Sequence, residues 1–487
     1  MPPAVVNSGY SAPVPARSLL LPGLLIVAGT LALACALWWI LKRKDLHRWM
    51  WAAIPLLSAA AAAALILLAG SSQANRPMAV IISNLVQDST GGIRDYSSIS
   101  AAPDLPGRHE YSMEGETLKM QAYEFNYYYM EDEDEPEEPD RLRTCYTGGA
   151  ECAAVVESHG LREQATLVSE SVSRIRGQID GAVWMEEDGL HGEIVNGTDQ
   201  TFAPGWVITT YGYTRTAALA PGEKAEVLLT KRTAADPQDP KYEEGGLYLN
   251  GELSLYGIAS GAMGCDYTRY ANGDGREAVL TTMLTNAADQ LNRDKGNQYG
   301  YAETTMFLYC AEPEYLPRPV FKADGKAVEQ QTSLTLLTAE LAYTAVGRTG
   351  VVFRSAGMDI PERVETDMLG RPTDMALPMK PAYYHVLSDI PTFRFDLKGM
   401  GDMQISMLRV TMDTYTAGNI KGCAFNIRTG QWDEITLNED IKKPEQYLDP
   451  AGKLYVQFRA NSGTQDTYLE MPSPSIMLEG RMPNAAD

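Results

Sequence analysis

The chain has 487 residues, of which 45% are hydrophobic and 21% are charged, and its formal net charge is −22. This length and composition allow roughly two to four folded domains with buried cores. The acidic excess repels a phosphate backbone, so the sequence argues against nucleic acid as a partner.

The N-terminal region begins with a short polar tail and continues into two long apolar segments. Residues 1–18 are rich in Pro, Ser and Ala, which predicts a mobile tail. Residues 19–41 and 49–70 contain no charged side chain. Each segment exceeds the roughly 20 residues that a helix needs to cross a bilayer, so the sequence predicts a transmembrane hairpin. The alternatives are a buried helical hairpin of a soluble protein and, for residues 19–41, a signal peptide.

The connection between the two apolar segments, at 42–48, predicts an orientation for this hairpin. Basic residues in short loops stay on the cytoplasmic side of a membrane. This loop contains the four topology-determining candidates Lys42, Arg43, Lys44 and Arg48. We therefore expect a cell-membrane protein with a cytoplasmic loop, both termini outside the cell and an extracellular domain that starts after residue 70.

From residue 78 onward, short apolar runs rich in branched and aromatic side chains predict strands, for example at 78–86 and 117–130. Gly, Asn and Asp separate these runs, which favours an antiparallel β-sandwich-like domain over 78–235. The acidic run at 131–140 contains no glycine and lacks the ligand spacing of a calcium loop, so we expect an exposed loop there.

The second half of the chain predicts a mixed α/β module at 245–355 and a C-terminal β domain at 380–487. A helix over about 275–293 is indicated by apolar residues at three- and four-residue spacing, namely Val279, Leu280, Met283, Leu284, Ala287 and Leu291. In the C-terminal domain a polar turn at 428–430 precedes Trp432, which we expect to anchor a hairpin. The predicted fold is thus a mainly β ectodomain, made of β-sandwich or jelly-roll-like modules with one helical insertion, attached to an N-terminal α-helical transmembrane hairpin.

The six cysteines suggest disulfides if the domain is extracellular. Cys145 and Cys152 enclose six residues that include a Gly pair, so a bond between them is expected. Cys265 and Cys310 form a weaker candidate pair across the helical module. Cys423 would then remain a buried thiol.

Recognisable catalytic patterns are missing from the sequence. The five histidines are all more than five residues apart, which excludes an HExxH zinc motif. The G-x-S-x-G nucleophile motif and the phosphate-binding G-x-x-x-x-G-K-[ST] motif do not occur. We therefore expect no catalytic, metal or cofactor-binding residues and no cofactor. A pair of carboxylates that hydrolyses glycosides stays open, because sequence spacing does not give their separation.

Four segments of the sequence resemble a known group of proteins. "LKRKDLHRWMWAAIP", "LHGEIVNGTDQTF", "GREAVLTTMLTNAADQ" and "FNIRTGQWDEITL" are similar to the hairpin, sandwich, helix and C-terminal β domain of uncharacterised cell-surface membrane proteins of Gram-positive bacteria. The resemblance covers roughly residues 20–487. It implies the same topology and β architecture, and it supplies no catalytic residues. Such proteins usually have a large extracellular region before the first helix, which this sequence does not show.

Together these patterns favour a non-enzymatic integral membrane protein that displays extracellular β-sandwich modules. The expected partners are the membrane itself and an envelope polysaccharide or a membrane protein. One alternative is an extracellular carbohydrate-active enzyme that uses paired carboxylates. Another is an accessory subunit of a transport or export complex, because the Ala-rich segment at 58–70 would allow close helix contacts.

Overall fold

The computed structural model describes most of the chain from residue 78 to residue 483, and before that only residues 33, 38, 39, 42, 43 and 59. Within 78–483 the residues that are not described are 89, 103–106, 114–116, 123–141, 144–151, 159–164, 234–241, 250–254, 265–275, 295–304, 318–319, 356–357, 359–360, 378–382, 385–389, 398–400, 413–419, 461–468 and 471–473.

Strands dominate the described residues, as the sequence predicts. Before the helices they are β1 (Met78–Gln87), β2 (Ile93–Ala102), β3 (Gly107–Met113), β4 (Thr117–Ala122), β5 (Leu142–Arg143), β6 (Ala153–Ser158), β7 (Ala165–Val172), β8 (Ile179–Met185), β9 (Gly189–Asn196), β10 (Trp206–Thr209), β11 (Gly212–Arg215), β12 (Lys224–Lys231) and β13 (Gly246–Leu247). Two helices follow, α1 (Leu255–Met263) and α2 (Arg276–Asp294).

After the helices the chain returns to strands, interrupted by one short 3₁₀ turn at Pro444–Gln446. These strands are β14 (Phe307–Ala311), β15 (Phe321–Ala323), β16 (Lys326–Ala327), β17 (Gln330–Glu340), β18 (Ala342–Thr344), β19 (Val351–Arg354), β20 (Glu362–Thr366), β21 (Pro372–Ala376), β22 (Tyr383–Tyr384), β23 (Thr392–Asp396), β24 (Gln404–Thr411), β25 (Ile420–Asn426), β26 (Gln431–Ile435), β27 (Lys453–Ala460), β28 (Leu469–Glu470) and β29 (Ser475–Arg481).

A 13-stranded sheet forms the centre of the molecule, with the order β18-β8-β9-β12-β13-β11-β10-β14-β17-β1-β2-β7-β4. Nine of its twelve neighbouring pairs are antiparallel, and β18–β8, β12–β13 and β1–β17 are parallel. The β1–β17 pairing extends along the whole of β1, from Met78 opposite Gln330 to Gln87 opposite Ala339. The predicted segments 78–235 and 245–355 therefore contribute strands to the same sheet. β1 is buried at nine of its ten positions, because elements pack on both of its faces.

The two helices pack against one face of this sheet. The predicted helix is present as α2, and its buried residues Val279, Met283 and Leu284 join Val80 and Ile82 of β1 in one apolar cluster. α1 belongs to the same cluster through Ile258 and Ala262. The sequence analysis missed α1, whose glycines at 257 and 261 weaken the helical signal.

The opposite face of the sheet is covered by two different layers. Near one end, a five-stranded sheet with the order β16-β15-β3-β6-β5 contributes Tyr111 and Phe321, which stack at a ring-centroid distance of 5.6 Å. They pack with Ile81 and Ile99 of the large sheet. Further along, a separate core that includes Leu85 also contains Phe353 of β19. The polar strip described below lies between these two cores.

The C-terminal region is a β-sandwich. A three-stranded sheet, β19-β29-β24, faces a six-stranded sheet, β21-β20-β23-β27-β25-β26. Their shared core contains Leu408 and Leu478 from the first sheet and Phe393 and Phe458 from the second. The predicted hairpin around 428–430 is present between β25 and β26, and Trp432 packs against Phe425 at a centroid distance of 5.2 Å.

The prediction of a transmembrane hairpin is corrected by the structure. In the described part of the chain, no helix combines the length and the apolar character that crossing a membrane requires. α1 has only nine residues, and α2, with 19 residues, carries charged side chains such as Arg276, Glu277 and Asp289. Apart from the isolated positions given above, the predicted spans at 19–41 and 49–70 lie outside the described residues. We therefore withdraw the hairpin and the cell-membrane localisation with external termini.

The disulfide predictions are wrong for the cysteines that the structure describes. Cys152, Cys310 and Cys423 are buried thiols that form no disulfide among the described residues. The Cys152 thiol donates a hydrogen bond to the backbone oxygen of Thr117 at 3.2 Å, so it is turned toward β4. Cys310 lies inside the large sheet against the helices. Their expected partners, Cys145 and Cys265, lie outside the described residues.

Candidate functional site

Polar side chains occupy two adjacent cross-strand rows on one face of the large sheet. The first row runs from Thr335 of β17 through Ser83 of β1 and Ser97 of β2 to Ser169 of β7. Directly opposed residues, and residues two apart on one strand, share a face of the sheet. This row therefore faces the same side as the apolar row formed by Ile81, Ile99 and Leu167.

The second polar row lies two residues further along the same strands. It joins Leu85 of β1 to Asp95 of β2, Ser171 of β7 and Thr117 of β4. Leu85 belongs to the next apolar core. The two rows thus form a polar strip between two apolar cores. We call this set, Thr335, Ser83, Ser97, Ser169, Asp95, Ser171 and Thr117, the hydroxyl strip.

A carboxyl group lies in the middle of the hydroxyl strip. The Ser97 hydroxyl donates a hydrogen bond to Asp95 Oδ1 at 2.8 Å, and the hydroxyl oxygens of Ser83 and Ser97 are 2.9 Å apart. Burial raises the pKa of Asp95 to about 6, and the hydroxyls of Ser97 and Ser83 only partly offset this effect. The cause of the shift is that protein surrounds the carboxyl and an ionised oxygen there loses contact with water.

Two hydroxyl groups of the strip have no hydrogen-bond partner among the described residues. They are Thr117 Oγ1 and Ser169 Oγ, on side chains that are 7% and 4% exposed. Buried hydroxyls are normally paired, because losing water without a replacement costs roughly 1–3 kcal/mol. At these two hydroxyls the described chain supplies no hydrogen-bond partner.

Part of the hydroxyl strip forms the floor of a cavity of about 300 Å³, to which it contributes Ser83, Asp95, Thr117, Ser171 and Thr335. Its walls come from the end of β3, from the segment after β7, from the start of α2 and from the segment after β14. The lining residues are Ser83, Leu85, Asp95, Met113, Thr117, Ser171, Val172, Ser173, Arg174, Arg276, Glu312, Pro313, Glu314, Leu316, Pro317, Ser333, Leu334 and Thr335. Asp95 keeps partial exposure because it borders this cavity.

An ion pair closes part of the cavity rim. Arg276, the first residue of α2, contacts both carboxylate oxygens of Glu312, with Nη2 at 2.6 Å from Oε1. The backbone oxygen of Glu312 accepts a hydrogen bond from Ala203 N at 2.9 Å, and Glu314 N donates to the oxygen of Thr201 at 2.9 Å. The segment after β14 is therefore held on both sides, and Arg276 is neutralised by Glu312.

The residues that the sequence analysis singled out lie elsewhere. Lys42 Nζ lies 4.8 Å from the ring centre of Trp38, and the guanidinium of Arg43 lies 4.1 Å from that of Trp39. Lys44 and Arg48 lie outside the described residues. Cys152 and Cys310 do not line the cavity.

The alternative of paired carboxylates comes closer to the observed site, because Asp95, Glu312 and Glu314 all border the cavity. Sequence reasoning missed this site, although it had one available signal. Ser169 and Ser171 alternate with Glu170 and Val172 at the end of an otherwise apolar run.

Comparison with known families gives one match. Residues 376–480 match a family model described as "Domain of unknown function (DUF8815)". The match covers the C-terminal β-sandwich from the end of β21 to β29 and excludes the cavity, which lies in the large sheet. No curated protein matches the chain. The resemblance to Gram-positive cell-surface proteins stays a prediction.

Proposed function

We propose that the protein is a binding protein that holds a small, hydroxyl-rich molecule in the cavity above the hydroxyl strip. The observation that carries this proposal is the unpaired Thr117 hydroxyl, which is buried in the floor of an open cavity that Asp95 also borders. Ligand sites typically combine a concave shape with a few polar groups that converge on the ligand. The hydroxyl strip supplies such groups.

The chemistry of the floor favours a ligand with several hydroxyl groups, such as a sugar or another polyol. Serine and threonine hydroxyls both donate and accept hydrogen bonds, and so do the hydroxyls of a sugar. An apolar ligand would leave the Thr117 hydroxyl without a partner, which costs roughly 1–3 kcal/mol of desolvation free energy. The volume of about 300 Å³ is at the lower end of ligand pockets, which span roughly 300–1,000 Å³, and so favours a small molecule.

Isothermal titration calorimetry with a panel of monosaccharides, disaccharides and sugar alcohols tests this proposal. Thr117→Val keeps the shape of the side chain and removes the hydroxyl, so it should weaken binding of a retained ligand by about tenfold. Thr338→Val is the matched control. Thr338 is also fully buried and its Oγ1 also lacks a hydrogen bond, but it lies opposite Val86 on the other face of the sheet. The proposal would be contradicted if both variants lost the same amount of binding affinity, or if the wild-type protein bound none of the compounds.

A second candidate function uses the same cavity for hydrolysis of a glycoside. It is favoured by the pKa of Asp95, which is raised to about 6 and so suits a general acid, together with Glu312 as a second carboxylate on the cavity wall. Chromogenic glycosides test it, because Asp95→Asn should then abolish turnover while Thr338→Val should not.

A further inference from the structure

We infer that the ligand of the cavity carries a positively charged amino group, which binds to the carboxylate of Asp95. This inference rests on the proposed function and adds the charge of the ligand to it. An amino sugar or a small amino alcohol would fit this description.

Asp95 retains free acceptor capacity. A carboxylate offers about four acceptor positions, and only the hydroxyls of Ser97 and Ser83 act on this one within the described residues. Since the side chain also borders the cavity, its other acceptor positions can be reached by a bound molecule. An ammonium group donates up to three hydrogen bonds, which matches a carboxylate that has acceptor positions to fill.

The cationic side chains around the cavity do not neutralise Asp95. Arg276 is bound by both oxygens of Glu312. Arg174 also borders the cavity, but neither arginine is among the groups that influence the pKa of Asp95. A buried carboxylate without a counter-charge is costly, and an opposite charge at hydrogen-bond distance relieves that cost. A cationic ligand would provide the missing charge.

The other charged groups that face the cavity also favour a cation over an anion. Glu312 and Glu314 add two carboxyl groups to the wall, against the guanidinium groups of Arg174 and Arg276. With Asp95 ionised, these five groups carry a net charge of −1. The net charge of −22 on the whole chain attracts cations over longer distances. A phosphate or carboxylate on the ligand would be repelled by Asp95.

An independent observation separates this site from a simple cluster of acidic residues. Thr117 is 7% exposed, lines the cavity and has an Oγ1 without a partner in the described chain. Thr117 stands opposite Ser171, which in turn stands opposite Asp95. Neighbouring strands lie about 4.8 Å apart, so these two positions, one strand removed from each other, are roughly 10 Å apart. One molecule that places an ammonium group on Asp95 and a hydroxyl at its other end on Thr117 would meet both polar requirements of the floor.

The experiment compares matched neutral and amino compounds by calorimetry on the full-length protein at pH 7. The probes are glucose and glucosamine, galactose and galactosamine, and ethylene glycol and ethanolamine, with N-acetylglucosamine as an uncharged amide. We expect at least one amino compound to bind tenfold or more tightly than its neutral partner, and N-acetylglucosamine to behave like glucose. In Asp95→Asn the tenfold preference for the amino compound over its neutral partner should disappear.

A second measurement does not depend on the folding of a variant. In the wild-type protein the preference for the amino compound should decrease as the pH is lowered from 7 to 5, because Asp95 becomes protonated while the amine stays charged. Equal binding of amino and neutral compounds, or a preference that survives in Asp95→Asn or at pH 5, overturns the inference and leaves the proposed function intact. Absence of binding by every probe overturns both.

Discussion

The indole nitrogen of Trp432 donates a hydrogen bond to the backbone oxygen of Gly370 at 2.7 Å. Trp432 lies on β26, at one edge of the six-stranded sheet, and Gly370 lies in the turn between β20 and β21 at the other edge. The sheet is therefore curled enough for its two edges to meet. Between them, Asp374 accepts hydrogen bonds from Lys453 Nζ at 2.7 Å and from Tyr455 Oη at 3.1 Å.

Trp432→Phe tests how much this contact stabilises the curled sheet. The change keeps an aromatic ring beside Phe425 and removes the only hydrogen-bond donor of the indole, so the free energy of unfolding should fall by about 1 kcal/mol. Urea denaturation followed by circular dichroism measures it. Trp184→Phe is a control of the same chemical change in the large sheet. An unaltered midpoint for Trp432→Phe would show that the edges meet without help from this bond.

The buried carboxyl of Asp95 should make stability depend on pH. Its pKa is 3.8 in the unfolded chain and about 6 in the folded protein. Between pH 3.8 and pH 6 the folded state binds more protons at Asp95 than the unfolded state does. The contribution of Asp95 to stability is therefore most favourable below pH 4. It then decreases as the pH rises to 6, by on the order of 3 kcal/mol.

Asp95→Asn removes this titration, so the stability difference between wild type and variant should shift in favour of the variant from pH 4 to pH 6 and stay constant above. Unfolding curves at pH 4, 5, 6 and 7 for both proteins provide the measurement. Parallel pH profiles for the two proteins would mean that Asp95 titrates normally.

Glu186 connects the end of β8 to the turn before β19. Its carboxylate accepts hydrogen bonds from the backbone nitrogens of Arg348 at 2.8 Å and Thr349 at 3.2 Å. Although partial burial raises the pKa of Glu186, these bonds and the Thr349 hydroxyl hold it below its usual value. Glu186→Ala leaves the two nitrogens without their acceptor and should cost about 1–3 kcal/mol of unfolding free energy.

The neighbouring Glu187→Ala is the matched control for this change. Its side chain is 68% exposed and pairs with Arg481 at the surface, so its loss should have an effect below 1 kcal/mol. Thermal unfolding of both variants beside the wild type measures the difference. If both variants lost a similar amount of unfolding free energy, the hydrogen bonds accepted by Glu186 would not be what stabilises this turn.

The buried thiols predict a labelling pattern. Burial raises the pKa of Cys310 and Cys423, which keeps both in the unreactive thiol form. Cys152 is also buried. Without any reductant, iodoacetamide should leave all three unmodified in the native protein and modify all three in guanidinium chloride. Peptide mass spectrometry identifies the sites. A fraction of Cys152 that stays unmodified after denaturation would indicate a disulfide after all.

Much of the secondary structure was predictable because it depends on local patterns. The apolar spacing from Val279 to Leu291 predicts α2, and the polar turn at 428–430 predicts the β25–β26 hairpin. The membrane prediction failed because it rested on the apolarity of 19–41 and 49–70 alone, and the disulfide predictions depended on the location inferred from it.

The candidate site was not predictable, since its parts come from distant segments. Ser83, Ser97, Ser169 and Thr335 become neighbours only through the register of four strands. The raised pKa of Asp95 depends on burial, which sequence spacing does not reveal. What the sequence does contain is the alternation of Ser169 and Ser171 on β7, which is unusual for a strand face that packs against a core.

The parallel pairing of β1 with β17 also governs when the molecule can fold during synthesis. β1 is among the first strands to leave the ribosome, and its partner follows only once residues 330–339 have been made. Until then one edge of a strongly apolar strand has no neighbour, which is the condition that promotes aggregation. A fragment that stops before residue 330 lacks the strand that covers this edge of β1.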